Sequence, residues 1–187
     1  MRRRSPLMVA LGTVGVLAPL VAGACGSTAP TGVRTGTTVH VAVPAGPNPS
    51  TSARMVCAPG AQRELAGALG VSTVAPITPT WVDHVYSCRY VYADGVITLS
   101  VKELSNRAQT TAYYRGLGAR LGDTGSLSGL GQGAFTTTNG SAVVRKDYKV
   151  LLVDVSGLPA QFGVPPTSAA DIAVTVSDVI LGCWTGA

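Results

Sequence analysis

Histidine and charge are both scarce in this chain. Only 12% of its 187 residues are Asp, Glu, Lys or Arg, and the two histidines are His40 and His84. A reaction centre built on imidazole therefore has almost no members to draw on. His-Glu-x-x-His, Gly-x-Ser-x-Gly, Ser-x-x-Lys and Cys-x-x-Cys are all missing, which removes the common metalloprotease, esterase, lactamase and thioredoxin-like patterns. Asp83 beside His84 is a solvated pair, because neighbours on an extended chain point to opposite faces. His40 falls in a polar stretch and is a solvated side chain. No catalytic residue, metal ligand or cofactor is assigned, and the chain is expected not to be an enzyme.

A long membrane span is missing too. The apolar run from Leu7 to Ala22 is interrupted by Gly12, Gly15 and Pro19, and it falls short of the roughly 20 residues a spanning helix requires. Preceded by Arg2, Arg3 and Arg4 and followed by small residues, it is an export signal over residues 1–24. The net charge of +5 drops to +2 once those three arginines leave, so the basic face that nucleic acid needs is not indicated.

Cys25 stands where the apolar run ends. Ala22-Gly23-Ala24 satisfies the small-x-small rule of ordinary secretion, and a cysteine at the next position trailed by a Gly, Ser, Thr and Pro stretch is the usual lipoprotein layout. Cys25 is therefore expected to carry a lipid, with ordinary secretion as the alternative. Residues 25–52 then form a tether with no large side chain to bury, although "TTVHVAV" alternates like a short strand. The expected address is the outer face of the cell membrane, and the low Lys and high Gly and Ala content suits an actinobacterial genome.

A single domain is expected over residues 53–187. Pro59 to Leu69 has helical spacing and ends at Gly70. "HVYSCRYVYADGVITLSVKEL" is a hairpin turning at Asp94-Gly95, which would set Tyr92 opposite Ile97, Tyr90 opposite Leu99 and Cys88 opposite Val101. A second helix runs from Asn106 to Leu121, capped by Ser105. "AFTTTNGSAVVRKDYKVLLVDV" is three strands turning at Asn139-Gly140 and near Asp147-Tyr148, with Phe135, Val144 and Leu151 in one row. Ser168 and Asp171 are spaced as a capping box before an amphipathic last helix. The expected fold is α+β, an antiparallel five-stranded sheet (2+3) with three helices in the order α-β-β-α-β-β-β-α.

A strand starting at His84 would put His84, Tyr86, Cys88, Tyr90 and Tyr92 on one side. Buried tyrosines need partners for their hydroxyls, so this stripe, with Trp81 near its mouth, is the candidate wall of a groove for a small or lipid-like ligand; core packing is the competing reading. "GLGQGA" (Gly129 to Ala134) has the look of a phosphate-cradling loop, but it precedes a strand instead of joining a strand to a helix, so it is read as a turn that needs glycine dihedrals.

Taken together, "VCAPGAQRELAGALG", "YSCRY", "GLGQGAF" and the amphipathic last helix resemble a large family of actinobacterial lipoproteins known only as a domain of unknown function. That family is similar to the extracellular sensor domains of mycobacterial serine/threonine kinases and to PsbP-like folds. The resemblance covers about Met55 to Trp184 and implies an envelope-exposed, non-enzymatic module with no catalytic residues to carry over. Cys183 is an addition to the family pattern. With Cys25 lipidated, three cysteines remain, and Cys183 on the apolar stripe of the last helix is expected to act as a small hydrophobe. That leaves a bridge between Cys57 and Cys88 around "VSTVAPITPTW". Two functions follow as expectations: a tethered module that senses a small or lipid-like ligand, or an interaction module that binds another protein in envelope assembly or signalling.

Overall fold

The two longest strands, β3 (Gly95–Glu103) and β7 (Lys149–Gly157), lie antiparallel and side by side at the centre of a seven-stranded sheet. The computed structural model describes residues 42–185. On one side of the central pair, β2 (Val85–Tyr92) and then β1 (Thr80–Val82) continue the sheet. On the other lie β6 (Ala142–Lys146), β5 (Ala134–Thr137) and β4 (Asp123–Leu127). Every neighbouring pair is antiparallel. Helices α1 (Thr51–Met55) and α2 (Pro59–Leu69) precede this array, α3 (Arg107–Leu121) joins its two halves, and α4 (Ala169–Thr185) follows a small ribbon of β8 (Gln161–Phe162) and β9 (Thr167–Ser168).

Alternation along β3 shows which face of the sheet carries the main core. Ile97, Leu99 and Val101 are fully buried and share a face with Val144, Leu151 and Val153 beneath α1, α2 and α4. The opposite face carries Phe135, Val143 and Val150, which pack with Leu104 and with Leu117 of α3. Helix ends follow their local chemistry. Pro59 opens α2 and Gly70 closes it at φ 65, where a Cβ would lie 2.3 Å from the Val164 carbonyl oxygen. Ser168 and Asp171 form the capping box of α4, the Ser168 hydroxyl donating to Asp171 at 2.6 Å and accepting from its N–H.

The expected five strands and three helices are corrected to seven strands and four helices, beside the β8-β9 ribbon, among the described residues. The additions carry little local signal. β1 has three residues, and β4, "DTGSL", is nearly all exposed, so pairing to a neighbour and not burial makes each a strand. Helix α1 is five residues long and straddles the end of the expected tether, with Thr51 and Ser52 inside it. That tether is shortened: Ala45 N–H donates to the Leu104 carbonyl, Trp81 Nε1 to the Pro47 carbonyl, and Ser50 N–H to Glu103 Oε2. Most of "TTVHVAV", with His40, and the signal and Cys25 lie outside the described residues. The α3 cap is Asn106, whose side chain accepts from Gln109 N–H, and not Ser105.

Two registers differ from expectation, with unequal consequences. Tyr92 pairs with Gly95, so the loop between β2 and β3 is Ala93-Asp94; Tyr90 faces Ile97 and Cys88 faces Leu99. That slip is even, and every side chain keeps its face. Between β5 and β6 the loop takes in Thr138, Asn139 and Gly140, with Thr137 N–H donating to the Ser141 carbonyl and Gly140 at φ 83. Phe135 consequently pairs with Val143, and Ala134 takes the place opposite Val144. An odd slip reverses faces, which moves Phe135 from the expected row to the side beneath α3.

Cys57 and Cys88 are bridged, their Cα atoms 5.9 Å apart across 31 positions of sequence. Cys183 is not the lone thiol expected: it is disulfide-bonded as well, and its partner lies outside the described residues. The double variant C57A/C88A is expected to lose about 3 to 4 kcal/mol of stability from the opened loop, measured as a lower urea midpoint. A loss under about 1 kcal/mol would mean the bridge adds nothing that packing does not already provide.

Candidate functional site

The stripe on β2 is closed by what it packs against. Tyr90, 1% exposed, donates its hydroxyl to the Val56 carbonyl at 2.6 Å. Tyr92 is buried with its ring edge against Phe162, centroids 5.0 Å apart. Between Tyr86 and Tyr90 in the row, Cys88 is held to Cys57, its Sγ 3.5 Å from the same Val56 oxygen; a bridged sulfur has no proton to donate, so this is contact alone. Tyr86 is half-buried against the edge of the same core. Burial, and secondarily the neighbouring Tyr92, holds the Tyr90 phenol well above its ordinary range, and burial pushes Tyr92 up to about 12.

Trp81 and His84 sit apart from this wall. Asp83 and His84 form the turn between β1 and β2, at φ 49 and 56, the geometry of a two-residue hairpin turn. The strand therefore begins at Val85, and His84 leaves the tyrosine row to meet Trp81 edge to face at 5.6 Å. The two are fastened from either side: Trp81 Nε1 donates to the Pro47 carbonyl at 3.0 Å, and Lys102 donates to the Asp83 carbonyl.

Three of the clefts among the described residues lie elsewhere. One, of about 380 Å³, runs along α3 past Tyr114, Gly118 and Phe135 to Asp123. Another, of about 270 Å³, lies between Gly129, Gly131 and Lys146 and the end of α4. The third, about 260 Å³, is the most polar and is lined by Arg107, Thr110, Gln132, Arg145 and Asp147. Its architecture depends on the glycine loop. Gln132 N–H donates to the Arg145 carbonyl and Arg145 N–H to the Gly133 carbonyl, both at 2.7 Å, so the loop continues the β5–β6 ladder. Gly131 permits that approach: at φ 56 its Cβ would stand 2.6 Å from the Arg145 oxygen. Asp147, also at positive φ, donates its N–H to Gln132 Oε1 and accepts from Gln132 Nε2.

Arg145 organises this cleft. Its Nη1 donates to Thr111 Oγ1 and its Nη2 to the Gln132 carbonyl, each at 2.9 Å, while the guanidinium lies 5.5 Å from the Tyr114 ring centroid. Both acceptors are neutral, and Nε is buried without a hydrogen-bond partner. Sequence reasoning missed this residue, because in "SAVVRKDY" it reads as an ordinary strand-end cation. The signal available was the odd number of glycines upstream, which mark a loop folded tightly onto something.

No group of three His, Cys, Asp or Glu able to hold a metal occurs among the described residues, and no described helix is long and apolar enough to cross a membrane. Comparisons with protein-family models, curated proteins and solved structures give no match.

The buried phenols tie stability to alkaline pH. Because folding raises both above the ordinary value of 10.0, their contribution is fully present below pH 10 and is lost as pH climbs through about 12. Chemical denaturation between pH 8 and about 12 is expected to show falling stability, with the slope reduced in Y90F/Y92F. An equal slope in the variant would place the alkaline sensitivity elsewhere.

Proposed function

We propose that this chain is an exported, non-enzymatic module of the cell envelope, anchored through lipid on Cys25, that recognises a protein partner through its surface. The observation that carries surface recognition over an internal groove is the filled tyrosine stripe: Tyr90 and Tyr92 are buried, and the Tyr90 hydroxyl is already bonded to Val56. A groove for a small or lipid-like ligand along Trp81, Tyr86, Tyr90 and Tyr92 would need that wall open. The resemblance to actinobacterial lipoproteins, the export signal and the Cys25 position support the address. The low count of histidine and charge supports a binding role over a catalytic one.

One observation favours a second address. Cys183 is disulfide-bonded outside the described residues, the chain has four cysteines, and two are joined to each other. A lipid thioether and a bridge use the same sulfur, so a Cys25–Cys183 bridge makes the protein a secreted one without an anchor.

Peptide mapping under non-reducing conditions separates the two. In the anchored protein the N-terminal peptide carries a diacylglyceryl mass, and C25A is expected in the medium or stalled before processing. A peptide joining Cys25 to Cys183 replaces the anchored reading with the secreted one. For recognition, native mass spectrometry of the protein purified from its own host is expected to give the unliganded chain mass. A retained small-molecule or lipid mass would overturn surface recognition in favour of an internal ligand.

A further inference from the structure

We propose that the cleft between α3 and the glycine loop is a binding site for a small oxyanion, phosphate or carboxylate, held by Arg107 and Arg145. The site goes beyond envelope recognition and does not depend on whether the chain is anchored. An arginine side chain has five N–H donors. Arg145 directs two of them to neutral acceptors, Thr111 Oγ1 and the Gln132 carbonyl, so its charge has no negative group in hydrogen-bond contact. A half-buried cation left this way is costly, and an anion in the cleft beside it lowers that cost. The guanidinium is also preorganised. Tyr114 lies beneath it and two hydrogen bonds fix its plane, so little side-chain freedom is lost on binding.

Arg107, exposed at the first position of α3, supplies a second guanidinium to the same cleft of about 260 Å³. That volume suits an ion or a small ligand group, not a large molecule. Asp147 bounds the other side and is tied to Gln132 through both its carboxylate and its N–H. The oxyanion sits toward the two arginines and away from that carboxylate. Arg145 thus has two functions in one geometry, clamping the loop with the bonds its Nη atoms have made and offering the ligand their remaining hydrogens, Nε being buried.

The test is a titration of the full chain with inorganic phosphate and, separately, with acetate, followed by ¹H–¹⁵N spectra that include arginine Nε–Hε resonances. Saturable shifts are expected at the Arg145 side chain, at the Gly131 and Gly133 amides and at the start of α3, with one of the two ions preferred. R107Q, on an exposed side chain, should keep the dispersed spectrum and weaken binding about tenfold, the size of one charge-assisted contact. R145K keeps the charge and loses the fork; if it unfolds, R107Q alone decides. Linear shifts without saturation, equal shifts at the exposed Arg63 and Arg89, or unchanged affinity in R107Q would each overturn the site.

Discussion

The pairing of β3 with β7 holds the two halves of the domain together. Each half is a meander complete with its own short turns, β1-β2-β3 on one side and β4-β5-β6-β7 on the other, and β3 with β7 is the one strand pairing that joins them. It runs from Val96 against Gly157 to Glu103 against Lys149, with Leu99 facing Val153 and Val101 facing Leu151, all four fully buried. Because the chain leaves β3 at the centre and re-enters the sheet at the far edge as β4, the connection must cross one face. Helix α3 is that crossing, and it packs against β5, β6 and β7. The flank on β2 and β3 next to it keeps Ser87, Arg89, Thr98, Ser100 and Lys102 partly or wholly in solvent. Polarity along this face is thus a consequence of the route: apolar under the helix, polar where no helix passes.

The same topology explains what the residues disclosed in advance. Elements with a buried face announced themselves, since a face must be apolar at the right period to be buried. Pro59 to Gly70, the Ser168–Asp171 box and the alternation of β2, β3 and β7 are legible for that reason. β1 and β4 lie at the sheet edges and need only backbone pairing, so "TWV" and "DTGSL" carry no period to detect. Registers depend on loop length, and loop length is the weak point. Asp94-Gly95 and Asn139-Gly140 are both good two-residue turn pairs, yet neither is the loop used. The first error left the faces unchanged and the second reversed one, because only the parity of a slip matters to a pleated strand.

Site residues divide in a comparable way. The tyrosine row was visible because its period is that of the strand carrying it. Whether a helix fills the space in front of it depends on where α1 and α2 dock, which is a long-range fact. Arg145 was invisible for the opposite reason. Its neighbours Thr111, Tyr114 and Gln132 come from α3 and from the glycine loop, and no spacing in the chain relates these to a strand end. The glycines are legible in sequence as a turn, but not what the turn lies against. Gly131 shows that a positive φ and a close approach can be one requirement: the dihedral lets the loop bend, and the missing side chain lets it lie on the Arg145 carbonyl.

That tyrosine and not phenylalanine occupies the core beneath the first helices has a local cause. Helix α1 ends at Met55, and the chain must reverse within a few residues to begin α2 at Pro59. The Val56 carbonyl at this junction faces inward, with Val56 itself fully buried. A buried acceptor without a donor costs about 1 to 3 kcal/mol, and the Tyr90 hydroxyl supplies the donor from across the core. One residue on, Cys57 carries the bridge to Cys88 in the same strand as Tyr90, while its carbonyl accepts from Gln62 Nε2. Helix junction and strand are thus joined by a covalent bond and a hydrogen bond two residues apart on β2. The polar atom that suggested a ligand groove is used to seat the α1–α2 corner on the sheet, and the hydroxyl row reads as a fastening before it reads as a wall.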